Sequence, residues 1–283
     1  MEMCTSAIPG CLNQSTHRRT VLKKLAQISG IVSAAFLVWP LTKKNAMAST
    51  IAPDDERLFT ENITYPGETC DMMAYLARPK DERKYPAVIV VHENRGLNDH
   101  IRDVTRRMAL EGFLTIAPDA LSPIGGTPDD PDRARDLLRE QDYTATVKNF
   151  VAAVKYLKTH PNSTGKVGIT GFCWGGAMTN QAAVNAPDLV AAVPYYGMPP
   201  DSKDVPKIKA SMLLHYAGND TRINAGIPEF EKALKEAGVE YEIYIYEGAD
   251  HAFNNDTNES RYNKEAATLA WKRTVEFFRK KLT

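Results

Sequence analysis

The sequence predicts an α/β fold in which helices cover both faces of a mostly parallel central sheet. Segments rich in β-branched residues alternate with segments of helical period along most of the chain, and this alternation favours parallel strands joined by crossover helices. Several strand segments, such as residues 87–91, are continuous apolar runs. Such runs are typical of strands that are buried on both faces.

The first predicted elements form a hairpin. Residues 58–65 and 70–78 flank Pro66 and Gly67, a pair that favours a turn between antiparallel strands. Three elements follow the hairpin: a strand at residues 87–91, a helix at residues 100–111 and a strand at residues 113–117.

A segment rich in Pro, Gly and Asp, residues 118–131, then interrupts the alternation and predicts a functional or mobile loop. Helical period returns at residues 132–158, with room for one break. The remaining predicted elements are strands at residues 166–170, 190–195, 211–216 and 241–246, and helices at residues 174–184, 224–237 and 261–281. Parallel sheets bind ligands beyond the carboxyl ends of their strands, so functional residues are expected in the loops that follow the strands.

Residues 1–48 have the layout of an export signal. Arg18 and Arg19 form a twin-arginine pair, a mildly apolar run follows at residues 25–41, and Ala46-Met47-Ala48 is a small-x-small cleavage site. We therefore expect recognition by the twin-arginine export machinery, a periplasmic or other extracytoplasmic location, and one domain at residues 49–283. Contact with a membrane is expected during export alone. The alternatives are an uncleaved amphipathic or anchoring helix and a cytoplasmic protein.

The charge distribution argues against a nucleic-acid partner. The chain has no formal net charge, but six of its 35 basic residues and one of its 35 acidic residues lie in residues 1–48. The remainder therefore carries a net charge of −5 and has no basic stripe. Beyond the leader the cysteines are Cys70 and Cys173, which are too few for a disulfide framework.

Cys173 is the candidate nucleophile. It lies in the turn Gly171-Phe172-Cys173-Trp174-Gly175, after a predicted strand and at the start of a predicted helix. The glycines allow a sharp turn that would lift the sulfur above the sheet, and the helix N-terminus favours a thiolate. A lone cysteine is more often a small core residue, so the prediction depends on suitable partners.

Asp220 and His251 are those partners, because each follows a predicted strand. The order nucleophile, acid, histidine is that of the catalytic triad in the α/β-hydrolase fold, which we therefore predict. His251 would exchange a proton with the nucleophile, while Asp220 would orient the imidazole and stabilise its cation. Asp250 competes for the acid role, but it adjoins the histidine in sequence and its side chain is expected to point elsewhere.

These motifs together resemble those of the dienelactone hydrolase family, also called carboxymethylenebutenolidases. The resemblance spans about residues 60–282, and it rests on His92-Glu93-Asn94-Arg95-Gly96, Ala117-Pro118-Asp119, Gly171-Phe172-Cys173-Trp174-Gly175-Gly176, Tyr195-Tyr196-Gly197, Gly218-Asn219-Asp220 and His251-Ala252-Phe253. It implies a hydrolase of cyclic or enol esters that needs no metal and no organic cofactor.

The resemblance also assigns a role to Glu93. In the family, a glutamate at this position contacts the resting thiol and helps to form the thiolate when substrate binds. A carboxylate beside a thiol disfavours premature ionisation, which would protect the sulfur from oxidation. The fold and the family match further imply that the backbone N–H groups of Trp174 and Asn94 form the oxyanion hole.

The chain departs from the family at the arginines that bind the substrate carboxylate. One family arginine lies in the helix after the long loop, where Arg135 falls, and the other follows the histidine by four residues, where this chain has Asn255. We expect Arg95 to supply a cation to the pocket instead, and Tyr196 to line it. The other interpretation is surface charge for the two arginines and core packing for the tyrosine.

The expected function is hydrolysis of an ester or lactone through a Cys-His-Asp triad and an acyl-cysteine intermediate. Its partner would be a small-molecule ester or lactone. Two alternatives stay open: a thioesterase or acyltransferase of the same fold, which differs in the acyl acceptor, and a redox sensor or binding protein that uses Cys173.

Overall fold

An eight-stranded sheet forms the centre of the computed structural model, which describes residues 51–283. Its strands are β1 (Leu58–Pro66), β2 (Asp71–Pro79), β3 (Tyr85–Val91), β4 (Leu114–Pro118), β5 (Ser163–Phe172), β6 (Ala191–Tyr195), β7 (Ser211–Ala217) and β8 (Tyr241–Tyr246). The helices are α1 (Asp99–Leu110), α2 (Pro131–Glu140), α3 (Tyr143–Thr159), α4 (Trp174–Asn185), α5 (Thr221–Asn224), α6 (Ile227–Glu236) and α7 (Lys264–Leu282). Short 3-10 turns lie at Ser122–Ile124 and Ser202–Lys207.

The strand order is β1-β2-β4-β3-β5-β6-β7-β8. The β1–β2 hairpin and the β2–β4 pair are antiparallel, whereas every pair from β4 to β8 is parallel. The predicted mostly parallel sheet and its antiparallel hairpin are therefore confirmed. Because β5, β7 and β8 run in the same direction, the loops after them open at the same edge of the sheet.

The apolar side chains form one core on each face of the sheet. In β3, Ala87, Ile89 and Val91 pack into one core, and Val88 and Val90 pack into the other, as the two-residue period of a strand requires. Helices α2, α3, α4 and α6 contribute to the first core, and α1 and α7 contribute to the second. Helices on both faces, as predicted, explain the continuous apolar run of this strand.

Two of the predicted helices differ in detail from the helices of the structure. The segment at residues 132–158 has the break that the sequence allowed and forms α2 and α3, because Asp142 ends the helical run and caps α3 by accepting a hydrogen bond from the Ala145 N–H. The segment at residues 224–237 becomes helical later than predicted, at Ile227, where α6 begins with Pro228 in its first turn. The short helix α5, which ends at Asn224, was not predicted.

The long loop after β4 is pinned by a buried carboxylate. Asp119 accepts hydrogen bonds from the Leu121 N–H at 2.9 Å and from the Thr127 N–H and hydroxyl at 2.7 and 2.8 Å. The Thr127 hydroxyl in turn accepts from the Leu97 N–H at 2.9 Å. These contacts tie the loop to the segment that follows β3, where Glu93 and Asn94 lie.

The predicted export signal lies outside the described residues. Within them, residues 51–283 belong to one compact unit, and none of their helices combines the length and the apolar character that crossing a membrane requires. Both cysteines of this part of the chain, Cys70 and Cys173, are free thiols.

Candidate active site

Cys173 occupies a strained turn between β5 and α4. Its φ and ψ angles are 57° and −112°, an uncommon conformation for any residue with a side chain. Strain of this kind concentrates at functional sites, where the surrounding structure holds it in place. Here the Cys173 N–H donates to the Tyr195 carbonyl at 3.1 Å, and the Cys173 carbonyl accepts from the Ala177 N–H at 3.1 Å.

The glycines around Cys173 are required by close backbone approach. A Cβ atom on Gly171 would lie 2.3 Å from the Gly175 carbonyl oxygen, and one on Gly175 would lie 2.4 Å from the His92 carbonyl oxygen. A Cβ atom on Gly176 would lie 2.4 Å from the Tyr195 carbonyl oxygen. The turn therefore packs the start of α4 directly against the ends of β3, β5 and β6.

Asp220 and His251 form a hydrogen-bonded pair at the same edge of the sheet. The Asp220 Oδ2 atom lies 2.5 Å from His251 Nδ1, and its Oδ1 atom accepts from the Ile223 N–H at 3.3 Å. Asp250 points elsewhere and accepts from the Asn219 amide at 2.9 Å. The carboxylate that orients the imidazole is thus the one that follows β7.

A cavity of about 280 Å³ brings the predicted residues together. Cys173, His251, Trp174, Asn94 and Tyr196 all line it. Within residues 51–283, no hydrogen bond joins the Cys173 thiol to the His251 imidazole. In enzymes of this type such contacts are often loose before substrate binds.

The Cys173 thiol is held in its neutral form. Burial, and after it the negative charge of Glu93, raises its pKa to about 11. The Trp174 backbone N–H and the cation of Arg222 act in the opposite direction and favour the thiolate. The Trp174 N–H thus lies close to the sulfur, as an oxyanion donor must.

Glu93 is a buried carboxylate with 8% exposure, and it follows β3. Its Oε2 atom accepts a hydrogen bond from the Asn255 side-chain amide at 2.6 Å. In the described part of the chain, its carboxylate makes no hydrogen bond to the Cys173 thiol, although its negative charge raises the pKa of that thiol. The contact with Asn255 was not predicted from the sequence, because 162 positions separate the two residues.

His92 supports the adjacent loop and was not predicted either. Its Nδ1–H group donates to the Glu93 carbonyl at 2.6 Å, and its Nε2 atom accepts from the Ala120 N–H at 3.2 Å. Burial lowers its pKa, which keeps the ring neutral and fits this donor and acceptor pattern. The ring also stacks on Trp174 at a centroid distance of 5.2 Å. One buried ring therefore contacts both segments that would supply oxyanion N–H groups.

Tyr196 adds an aromatic wall beside the histidine. Its φ angle is 38°, and its ring lies 5.0 Å from the His251 ring. In the described part of the chain, its buried hydroxyl has no hydrogen-bond acceptor. Burial raises its pKa well above the usual value, so the hydroxyl keeps its proton.

The arginines lie partly where the sequence predicts. Arg135 lines the cavity and forms ion pairs with Asp132 and Asp136. Arg95, in contrast, does not line the cavity: its guanidinium pairs with Asp132 of α2, which draws it away from the predicted place. Arg222 was not predicted, yet it lines the cavity two residues after Asp220. Among the described residues it has no ion-pair partner.

In the part of the chain that the structure describes, no group of three or more His, Cys, Asp or Glu side chains is arranged to hold a metal ion.

Two curated proteins illustrate what this chain is similar to in sequence. A protein of Salmonella typhi with the provisional name carboxymethylenebutenolidase is 34% identical over 249 residues, which cover 82% of this chain and 92% of that protein. A Synechocystis protein with the same provisional name is 33% identical over 241 residues, or 79% of this chain and 97% of that protein.

Solved structures give the same result. A Klebsiella pneumoniae protein, provisionally described as a dienelactone hydrolase, superposes with a TM-score of 0.71 at 32% identity and covers 78% of this chain and 98% of its own. The model of the dienelactone hydrolase family matches residues 72–282. The chain therefore belongs to the dienelactone hydrolase family of the α/β-hydrolase superfamily and is a hydrolase that acts on esters or lactones.

Proposed function

We propose that the chain hydrolyses its ester or lactone through an acyl-cysteine intermediate on Cys173, with His251 and Asp220 completing the triad. The observation that carries this proposal is the cavity itself. A cysteine on a strained turn and a carboxylate-oriented imidazole line one pocket. Strained nucleophile turns, oriented imidazoles and nearby N–H donors are the parts that acyl transfer to a side chain requires.

In the first step, His251 Nε2 takes the thiol proton while the sulfur attacks the carbonyl carbon. The carbonyl π electrons move to oxygen, where the N–H groups of Trp174 and Asn94 stabilise the oxyanion. The carbonyl then re-forms and the C–O bond breaks. The imidazolium gives its proton to the departing alkoxide, and Asp220 stabilises the cation during this exchange.

In the second step, the same imidazole activates water. Nε2 takes a proton as the water oxygen attacks the thioester carbonyl, and the C–S bond then breaks. The proton returns to the thiolate, the carboxylic acid leaves, and the resting thiol is restored. A resting pKa of about 11 suits this cycle, because the sulfur is neutral until a base takes its proton within the occupied cavity.

We further propose that esters with an acidic group are preferred. Arg135 and Arg222 line the cavity, together with Arg139. Arg135 and Arg139 both form ion pairs with carboxylates of α2, which leaves Arg222 as the cation that is available for a substrate carboxylate. Arg222→Ala should therefore raise KM about 10-fold for an anionic ester and little for a neutral one.

Arg133→Ala is the matched control for that experiment, because Arg133 is exposed on α2 and does not line the cavity. If Arg222→Ala raised KM equally for the anionic and the neutral ester, the proposed preference for acidic esters would be contradicted. The proposed catalytic triad would not be affected by that result.

The triad itself is tested by substitution. Cys173→Ser and His251→Ala should each abolish hydrolysis of p-nitrophenyl acetate while the melting temperature stays near that of the parent. Cys70→Ser is the matched control, because this free thiol lies outside the cavity. Full activity in either triad variant would overturn the proposal.

The alternatives predict different products. An acyltransferase would pass the acyl group to an added thiol or alcohol faster than to water. A redox sensor would show no turnover and would form a sulfenic acid at Cys173 on treatment with peroxide. Product analysis with and without an added acceptor separates these outcomes.

We also propose that residues 1–48 direct export through the twin-arginine pathway and are removed after Ala48. The supporting observation is the order of Arg18 and Arg19, the apolar run and Ala46-Met47-Ala48 in the sequence. Mass spectrometry of the N-terminus from the native source tests this directly. A mature start at Ser49 is the expected result, and an intact Met1 would contradict it.

A further inference from the structure

We infer that Asn255 is a positioning residue that holds the Glu93 carboxylate beside the nucleophile and thereby controls the ionisation of Cys173. The inference rests on the proposed role of Cys173 in acyl transfer. It concerns how the thiol is kept neutral at rest.

The contact between the two side chains is short and directed. The Asn255 amide donates to Glu93 Oε2 at 2.6 Å. In the part of the chain that the structure describes, it is the one group that donates to this carboxylate. Glu93 is buried, so its position depends on this single neutral donor.

The orientation of the Asn255 amide is itself determined by its neighbours. Its Oδ1 atom accepts from the Thr257 N–H at 3.0 Å and from the Thr257 hydroxyl at 2.6 Å. These two donors identify Oδ1 as the acceptor end, so Nδ2 must face Glu93. The Asn255 N–H also donates to the Ala252 carbonyl at 3.0 Å, one residue after His251.

The next residue anchors this segment to the body of the protein. Asp256 forms an ion pair with Arg107 of α1 at 2.6 Å, and the His100 ring lies 3.3 Å away. The segment that carries Asn255 is thus fastened on both sides of the donor. Such support is what a residue needs in order to fix another side chain to within a fraction of an ångström.

The placement of the Glu93 charge matters because the sulfur responds to it. After burial, Glu93 is the largest influence that raises the pKa of the Cys173 thiol. The other groups that act on this thiol are the Asp220 charge, the Arg222 cation and the Trp174 N–H, and the Tyr196 hydroxyl also lies within electrostatic reach. Of these, Glu93 is the one that Asn255 touches.

The side-chain amide of Asn255 carries no charge, and this affects the sulfur as well. An arginine or lysine at position 255 would bring a cation next to Glu93 and offset its effect on the sulfur. The amide holds the carboxylate without cancelling its charge. The resting thiol is therefore protected more strongly than it would be beside an ion pair.

The experiment measures the thiol directly and does not require turnover. Iodoacetamide alkylation of Cys173 is followed by mass spectrometry of its own peptide from pH 6 to 11 in Cys70→Ser protein, in which Cys173 is the one thiol of residues 51–283. Asn255→Leu removes the donor but keeps the shape. With Glu93 released, alkylation at pH 8 should be at least about threefold faster than in the parent, and its pH midpoint should be lower.

Two comparisons separate positioning from a general loss of structure. Asn255→Leu should have no further effect on the midpoint in a Glu93→Gln background, because its influence passes through that carboxylate. Asn258→Leu is the matched control: it removes an asparagine of the same loop that contacts Ser260 instead. Asn255→Ala serves as a second variant, and thermal melts confirm that each protein is folded.

An unchanged midpoint in both Asn255 variants would overturn the inference, as would an equal shift in the Glu93→Gln background. Neither result would bear on the triad, because the proposed function fails separately, through retained hydrolysis in Cys173→Ser or His251→Ala.

Discussion

The substitution Gly175→Ala tests the architecture of the site, because its added Cβ atom would meet backbone on the far side of the turn. That atom would lie 2.4 Å from the His92 carbonyl oxygen and 2.5 Å from the Val91 carbonyl oxygen. Neither neighbour is the end of a flexible side chain. The start of α4 and the end of β3 must therefore separate by about 1 Å to restore an ordinary contact.

Two opposing effects determine the stability of this variant. Alanine is the better helix former by about 1 kcal/mol, and this alone would stabilise α4. Overpacking of a close-packed site costs about 1–3 kcal/mol, and here the backbone cannot move aside easily. The steric cost should prevail and lower the melting temperature by several degrees, at about 2–4 °C per kcal/mol for a domain of this size.

The effect on rate should be larger than the effect on stability. The same movement shifts the Trp174 and Asn94 N–H groups relative to the Cys173 sulfur, and a misplacement of about 1 Å costs about 100-fold in rate. The assay is kcat/KM for p-nitrophenyl acetate, with a thermal melt on the same preparation.

Gly238→Ala is the matched control for this variant. Gly238 has a φ angle of 68°, and its added Cβ atom would meet no atom within 4 Å. The control should lose about 1 kcal/mol through backbone strain and keep its activity. If Gly175→Ala retained kcat/KM within twofold of the parent, the reasoning about the turn would be refuted.

Three further predictions concern other groups. Asp220→Asn should lower steady-state kcat by about 10³–10⁴-fold, because the imidazole loses its orienting carboxylate. Asp250→Asn is the control and should change kcat by less than twofold, since Asp250 contacts Asn219 and not the imidazole. The alkylation rate of Cys173 should rise about tenfold per pH unit from pH 7 and level off near pH 11, and a plateau near pH 9 would contradict the raised pKa. Burial lowers the pKa of His215 to about 3, below its unfolded value of 6.5, so its neutral ring contributes stability above pH 6.5 that is lost as the pH falls towards 3. His215→Gln should therefore flatten the pH dependence of urea unfolding below pH 6.5 by up to about 1.4 kcal/mol per pH unit, and identical slopes would argue against this.

The sequence predicts the sheet and the chain order of the site well, because both follow from local pattern. The strands before Cys173, Asp220 and His251 are rich in apolar and aromatic residues and have turn signals after them, and parallel strands end at one edge of a sheet. Three residues that are distant in sequence are therefore predicted to meet. Pattern also predicts the hairpin of β1 and β2, which flanks the pair Pro66 and Gly67.

Sequence pattern does not predict the direction in which a surface side chain points. Arg95 lies two residues after Glu93, but its guanidinium pairs with Asp132 of α2, and no sequence pattern reveals that competition. Arg222 reaches the cavity from the short helix α5, which was not predicted from the sequence. Its nearness to Asp220 is the one signal that could have indicated it.

Contacts between loops that are distant in sequence cannot be predicted from sequence pattern either. The amide of Asn255 meets Glu93 because the segment after β8 folds back over the end of β3, and side chains such as Asp256 hold it there. The sequence shows an asparagine at position 255 but not the residue that it contacts. The structure shows that the side-chain amide of this asparagine donates to the Glu93 carboxylate.

The central claim is that the acyl group of the substrate becomes bonded to Cys173, and intact-protein mass spectrometry tests it most directly. After rapid acid quenching of a reaction with p-nitrophenyl acetate, the account predicts a mass increase of one acetyl group. Peptide mapping should place this group on Cys173. Turnover by the parent protein with no acyl adduct at Cys173, or with an adduct on another residue, would contradict the account.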